Sequence, residues 1–266
     1  MEVNVRQLPV SVILIIKNEE HNLDRCLKSV HAFAGEIVAV LNDCTDNSEA
    51  ILLRYGARVY HHQWQGFVNQ KNLALSYARN DWVFSIDADE ETTPALRNEM
   101  EKVVAENDER IAAVSFCRKT WLLDRWIKHG DWYPDRVVRL FRRDRARFEG
   151  NYLHEKLVVD GGILKSRENL LHYSFQTMYL FLAKNDSFTR AFIDANLGVK
   201  KFSMAGAIWR SFWKFFRGYF IKLGFLDGYP GFIIAVQQAY STFFRYNMLL
   251  EYSLKDGPIY RDKEDE

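Results

Sequence analysis

Val10-Ser-Val-Ile-Leu-Ile-Ile16 is a β-branched, almost wholly apolar run bounded by Pro9 and by the polar Lys17-Asn18-Glu19-Glu20. A segment apolar on both faces, without alternation, reads as a buried parallel strand. Outward from it, residues 21–33 have helical spacing, with Leu23, Leu27 and Val30 on one side. Residues 36–41 (EIVAVL) read as a second buried strand ending in Asn42-Asp43-Cys44-Thr45-Asp46. Residues 48–55 are a helix stopped by Gly56, the residue type favoured just past a helix end. Residues 58–61 form a short strand, 69–79 a helix, and 82–86 (WVFSI) a fourth strand running into Asp87-Ala88-Asp89-Glu90. Pro94 opens another helix, and 111–117 is a further strand. This alternation predicts an α/β fold of βαβ units, a Rossmann-like, mostly parallel sheet flanked by helices. In such sheets ligands bind outside the carboxyl ends of the strands, so the polar clusters after Ile16, Leu41 and Ile86 are predicted to face one crevice.

The chain has 266 residues, 36 Lys+Arg against 35 Asp+Glu, and 15% aromatic residues. A near-zero net charge argues against nucleic acid as a partner. Three cysteines, Cys26, Cys44 and Cys117, contain no CxxC pair, which argues against a disulfide framework or a cysteine zinc site and fits a reducing compartment. No signal peptide is expected at the N-terminus, where Glu2 and Arg6 interrupt any apolar run.

From 137 to 162 the pattern becomes short and arginine-rich (RVVRLFRRDRARF, then NYLHEKLVVDGG), read as strands and loops closing the site from the other side. Arg142, Arg143, Arg145 and Arg147 read as a solvated basic edge. Beyond about 176 the chain turns aromatic and cationic. Phe202, Ala205, Trp209, Phe212, Phe216, Tyr219 and Leu223 recur at helical steps, with Arg210, Lys214 and Arg217 on another face and no acidic residue from Lys200 to Lys222. Residues 227–231 break that helix, and 232–254 read as a second. Two domains are expected, 1–175 built on the parallel sheet and 176–266 as an amphipathic helical region. Trp and Tyr combined with Lys and Arg suit a bilayer interface, where each basic residue adds about 1 kcal/mol on an anionic surface. The predicted location is therefore cytoplasmic, peripherally attached to the inner face of the cytoplasmic membrane; helical packing or oligomerisation is the competing explanation.

Asp87 and Asp89, two carboxylates at i and i+2 after a buried strand, can both reach a hard divalent cation, which prefers oxygen ligands. The same residues could instead form a solvated acidic turn or a helix cap. Position after the fourth strand favours the cation.

Lys17-Asn18-Glu19-Glu20, Thr45-Asp46, Gln70-Lys71-Asn72 and Asp87-Ala88-Asp89-Glu90, in this order, resemble family 2 glycosyltransferases of the GT-A fold, over roughly residues 8–175. Arg139-Leu140-Phe141, His154-Glu155 and Leu171-His172-Tyr173-Ser174 are similar to bacterial lipopolysaccharide core glucosyltransferases. The resemblance implies an inverting enzyme that passes a sugar, glucose by that likeness, from a UDP-sugar donor to a membrane-borne, lipid-linked saccharide. It implies Glu19, Asp43 and Asp46 at the uridine, Asp87 at the ribose or pyrophosphate, and Asp89 on a divalent metal, Mg²⁺ or Mn²⁺. The chain departs from the family at Leu41, where an aspartate is usual; Asn42 or Asp43 is the substitute.

Inverting transfer needs a general base for the acceptor hydroxyl. Glu155 is the candidate, with Asp131 and Asp135 as alternatives and a strand-edge ion pair as the competing role. His172 is either a core histidine or a third metal ligand. Arg136 and Arg139 can pair with phosphate through bidentate contacts, and Lys71 is either a phosphate contact or a plain surface lysine. His61 and His62 are excluded as a metal pair, since adjacent strand residues point to opposite faces. A nucleotidyltransferase and a non-catalytic membrane-bound nucleotide-binding scaffold are the remaining readings.

Overall fold

The computed structural model describes residues 7–151, 154–175, 177–179, 181, 189, 192–193, 196 and 203–254. The elements of its first part, in chain order, are β1 (Val10–Ile16), α1 (Glu20–His31), β2 (Glu36–Leu41), α2 (Ser48–Arg54), β3 (Arg58–His61), α3 (Phe67–Tyr77), β4 (Trp82–Ser85), β5 (Glu90–Thr92), α4 (Pro94–Glu106) and β6 (Ile111–Leu122). There follow β7 (Arg125–Trp126), β8 (Asp135–Arg142), β9 (Ala146–Asn151), β10 (His154–Val159) and β11 (Gly162–His172). Contacts within the chain separate two compact units, residues 1–120 with 135–174, and residues 121–134 with 175–266. Residues 121–134 therefore group with the C-terminal helices rather than with the sheet that precedes them.

In the first unit β1 is a central strand, buried at every position but Ile15 and paired in parallel with both β2 and β4. β3 adds to β2 in parallel. Strand alternation sends Val12, Leu14 and Ile16 into one apolar layer with Leu23 and Leu27 of α1 and Leu96 of α4. Ile13 points into the other, with Val38, Ala74 of α3, Val83 and Phe141. Both faces are covered, which is why the strand carries no polar alternation. The α/β architecture predicted from this run is the one observed.

The arginine-rich stretch departs from its predicted position. β8 is not a flap over the site but a strand inside the sheet, antiparallel between β4 and β6. β11 then pairs in parallel with β6, and β5 pairs antiparallel with the end of β11. Of the arginines expected at a solvated edge, Arg143 and Arg147 are exposed as expected, while Arg142 and Arg145 are half-buried; Arg142 donates to the Ile111 carbonyl, Arg143 to Ala78 and Arg145 to Glu109. β9 and β10 form a separate antiparallel hairpin, with Phe148 packed into the second apolar layer.

In the second unit, α5 (Met204–Phe216) runs through a wide turn at Arg217–Ile221 and a short one at Gly224–Asp227 into α6 (Gly228–Leu254). The break predicted at 227–231 lies upstream instead, ending at Asp227, and Pro230 sits in the first turn of α6, where a missing N–H costs nothing. Gly231 packs directly on the Gly224 carbonyl, leaving no room for a Cβ. Asp227 accepts from the Lys128 and His129 backbone N–H groups at 3.0 and 2.8 Å, fastening the 121–134 loop to the turn between the helices. Lys200 and Phe202, included in the predicted helix, lie outside the described residues.

Candidate active site

Two turns at the carboxyl ends of β1 and β2 are laced together. Asn18 and Asp43 have φ values of +53° and +42°, a region that Asn and Asp tolerate better than most residues. Asn18 Oδ1 accepts from the Thr45 N–H at 2.8 Å, and Asp46 accepts from the Glu20 and Ser48 N–H groups, both at 3.0 Å. Glu20 in turn accepts from Asn47 N–H, and Ser48 Oγ from Glu19 N–H. These bonds, outweighing desolvation, hold Asp46 below the usual aspartate range. Asp46, expected at the uridine, therefore has both carboxylate oxygens engaged in building the rim. Asp43 is exposed beside it. Asn42 is buried, and its Oδ1 has no hydrogen-bond partner among the described residues. Glu19 accepts from Asn22 at 2.9 Å. Burial raises its pKa against that bond, and the neighbouring Asp89, Asp46 and Asp87 charges raise it further.

β4 delivers Asp87 to the same rim. Its Oδ2 receives Arg139, its Oδ1 lies 3.4 Å from Lys71 Nζ, and Lys71 also binds Glu155. Burial alone would raise the Asp87 pKa, but Arg139 and Lys71 hold it well below the carboxylate range. The QKN sequence accounts for how Glu155 arrives there. Gln70 donates to the Gln63 carbonyl at the start of α3, Lys71 points to the carboxylates, and Asn72 exchanges two hydrogen bonds with the Phe148 backbone at 2.8 and 2.9 Å. That amide pair clamps β9 to α3, and β10 follows in register, with Glu155 opposite Gly150.

Arg139 reaches Asp87 because of a β-bulge. The β8–β6 register slips between Val114 and Ser115, so Leu140 faces one apolar layer and Val138 the other although they are two residues apart. Arg139 is the extra residue, and bulges beside sites re-aim a side chain in this way. Its guanidinium is buried between Asp87 and Glu90, 2.5 Å from Glu90 Oε1. Burial raises the Glu90 pKa against the pull of Arg139. Arg118 stands 3.6 Å from Glu90 and 2.7 Å from Asp135. Charges alternate without interruption along Asp135, Arg118, Glu90, Arg139, Asp87, Lys71 and Glu155.

Asp89, the residue before Glu90, meets His172, whose Nε2 lies 3.3 Å from Asp89 Oδ2. His172 is buried, and its Nδ1 is 3.2 Å from Thr120 Oγ1, so the ring is held between a hydroxyl and a carboxylate. Among the described residues no group of three His, Cys, Asp or Glu side chains is arranged to hold a metal ion.

The structure thus brings together Glu19, Asp46, Lys71, Asp87, Asp89, Arg139, Glu155 and His172. Arg136 is exposed and bonds to the Ser115 and Ser166 carbonyls, and Asp135 is engaged by Arg118. Asp131, the other alternative base, belongs to the second unit, where Lys214, Arg217 and Lys222 approach within 3.0 Å. The His154 side chain lies outside the described residues. His61 and His62 bond to Glu49 and Tyr77, on different helices, as their strand positions require. Glu90, Arg118 and Thr120 are site residues that sequence reasoning passed over. A charge inside an apolar strand, as in Val138-Arg139-Leu140 and Phe116-Cys117-Arg118, was the available signal, because a buried cation demands a buried anion.

The sequence model described as Glycosyl transferase family 2 matches residues 11–159, the stretch that contains every loop of this rim except the one bearing His172. The chain belongs to that family. A glycosyltransferase of Rickettsia typhi, itself uncharacterized, is 30% identical over 263 residues, 94% of this chain and 89% of that protein. The lipopolysaccharide core biosynthesis glycosyltransferase LpsC of Rhizobium meliloti is 32% identical over 176 residues, 64% of each. Among solved structures, a mannosyltransferase of Pyrobaculum calidifontis, in complex with GDP-Man and Mn²⁺, shares the fold with a TM-score of 0.51 at 14% identity, covering 95% of this chain and 77% of that one. As a family 2 glycosyltransferase the protein is an enzyme of sugar transfer, and its GT-A sheet presents the strand ends just described.

Proposed function

We propose that the protein is an inverting, divalent-metal-dependent transferase that moves a sugar, glucose by resemblance, from a UDP-sugar to a membrane-borne saccharide of the lipopolysaccharide inner-core type. We place it at the inner face of the cytoplasmic membrane. The observation that carries the reading is the Lys71 bridge, which sets the Glu155 carboxylate beside Asp87, two residues before the Asp89 that pairs with His172.

In this reading the acceptor hydroxyl attacks the anomeric carbon while its proton passes to Glu155. A new carbon–oxygen bond forms as the bond to the diphosphate breaks, and UDP departs. Lys71 holds the Glu155 carboxylate in place until the hydroxyl arrives. The orphaned Asn42 Oδ1 is an acceptor suited to an imide N–H such as that of uracil, which supports a uridine donor where Leu41 replaces the usual aspartate. The charge balance supports a cation. Lys71, Arg118 and Arg139 are shared among Asp87, Glu90, Asp135 and Glu155, with Glu19 and Asp46 close by, so an entering diphosphate would gain from a cation beside these carboxylates. Asp89 and His172 supply one oxygen and one nitrogen, and the remaining positions suit diphosphate and water oxygens. A divalent ion bound there would neutralise charge on the leaving diphosphate.

The test is a thermal-shift panel of nucleotide sugars with and without Mn²⁺, on the parent and on Asp89→Asn. A ligand at a hundred times its Kd stabilises by about 2.7 kcal/mol. Stabilisation by UDP-sugars that needs Mn²⁺ and vanishes in Asp89→Asn is the expected result. Metal-independent stabilisation, or a preference for GDP-sugars, would reject the donor and metal assignments.

A further inference from the structure

The second unit carries a face that its own packing leaves open. Trp209, Phe212, Trp213, Phe216 and Phe220 are each between 37% and 62% exposed. They touch one another in sequence, with ring centroids 5.2 to 6.5 Å apart, forming a ladder along α5 and the turn after it. At the tip, Leu223 and Leu226 add exposed aliphatic surface. The cations of this segment do not share that face. Lys214, Arg217 and Lys222 all converge on Asp131, whose side chain is 7% exposed, and the Arg210 guanidinium lies 5.4 Å from the Tyr246 ring. From Met204 to Leu226 there is no acidic residue, and these four are the only lysines and arginines.

A protein-binding surface of this size carries a polar rim and a hydrogen bond every 100–200 Å² or so. This one offers aromatic rings and aliphatic tips. No single described helix is long and apolar enough to cross a membrane, yet Met204–Ile221 and Gly224–Tyr252 together have the required length and composition, bent by 70°. A bent apolar pair of this kind can lie within one leaflet without crossing, at a depth of about 5–10 Å.

We propose that the aromatic ladder and the tip of the α5–α6 bend insert into one leaflet of a bilayer chiefly by apolar contact, with three cations of the segment drawn away from the ladder to Asp131. This deepens the membrane-borne acceptor reading by stating how the enzyme holds the surface, and it makes apolar insertion rather than charge the main attachment. Binding then depends only weakly on salt and does not require anionic lipid.

Flotation of the full chain with vesicles of phosphatidylcholine, alone or mixed with phosphatidylglycerol, at low and high salt, tests it. The expected result is binding to both vesicle types that changes less than about threefold with salt, together with quenching of tryptophan emission by brominated lipid. Trp209→Ser combined with Phe212→Ser should lower partitioning by at least about tenfold, since each ring buries roughly 150–250 Å². Phe216→Ser combined with Phe220→Ser, further along the ladder, should do the same if the first pair fails to fold. Binding confined to anionic vesicles and abolished by salt would overturn the proposal. So would an absence of binding, or a self-associated chain whose tryptophans brominated lipid does not quench. The nucleotide-sugar thermal shift, read on the same variants, separates this outcome from the transferase reading, because the ladder residues belong to the second unit and the donor-site residues named above to the first.

Discussion

Replacing Arg139 by Met removes the cation on which Glu90 and Asp87 converge. Glu90 is fully buried and 2.5 Å from the guanidinium, whereas the Asp87 side chain is 34% exposed. Breaking a buried pair by removing one partner costs about 3–5 kcal/mol. Two features place the expected cost near the lower bound. Arg118 still stands 3.6 Å from Glu90 and Lys71 3.4 Å from Asp87, and solvent screens the Asp87 contact. About 3 kcal/mol is expected, which at a urea slope near 3 kcal/mol/M lowers the midpoint by about 1 M. The informative measurement is the cycle with Glu90→Gln. If the cost arises from an anion left without its cation, the double variant recovers most of it, with a coupling of roughly 1.5–3 kcal/mol. A single-variant cost under about 1 kcal/mol, or strict additivity in the cycle, would show that the alternation of charge along β4, β5 and β8 is not what holds Arg139 in place.

Other consequences are open to direct measurement. Glu155→Gln should lower turnover by about 10²–10⁴-fold while leaving the UDP-sugar thermal shift intact, and a near-parental rate would remove Glu155 as the base. Thr120→Val takes away the neighbour of His172 Nδ1 and should weaken Mn²⁺ by about 10–100-fold, read as the Mn²⁺ concentration needed for UDP-linked stabilisation. Asp46→Ala deprives the Glu20 and Ser48 N–H groups of their acceptor and should cost about 1–2 kcal/mol in urea unfolding. A larger effect on uridine binding than on unfolding would instead restore Asp46 to the donor contact expected from its motif.

The parallel half of the sheet was legible because β1, β2 and β4 are covered on both faces and so read as unbroken apolar runs. β8 was not. It lies inside the sheet yet carries Arg136, Arg139 and Arg142, each with a partner supplied by a distant strand: carbonyls at 115 and 166, carboxylates at 87 and 90, a carbonyl at 111. Periodicity sees the charge and infers solvent, since the compensating group is set by strand register. The same limit applied at the site. Asp87 and Asp89 could be located from one tripeptide, whereas Glu90 and Arg118 acquire their roles only when β6 brings position 118 opposite 135. Lys71 lay between the two, its helix position evident and its burial not.

The C-terminal helices extend that argument to a prediction. Helical spacing separates an aromatic face from a cationic one but does not reveal what the cationic face meets. Asp131, more than eighty residues upstream, meets it. With Lys214, Arg217 and Lys222 grouped on one carboxylate, Asp131 offsets one of the three charges, which at about 1 kcal/mol per cation near an anionic surface is worth roughly 1 kcal/mol, or about fivefold in affinity. Asp131→Asn should return it: with that negative charge removed, binding to phosphatidylglycerol vesicles should rise and gain salt dependence. The variant should also unfold more easily, since burial raises the Asp131 pKa but the bonds from Lys214 and Lys222 bring it below the ordinary aspartate range. A depressed carboxylate stabilises at neutral pH and loses that contribution only as pH falls through its folded value, so parent and variant should converge below about pH 4. If Asp131→Asn leaves binding to anionic vesicles unchanged at low salt while the helices remain folded, the cations are not what Asp131 restrains. The salt-insensitive attachment would then need another cause.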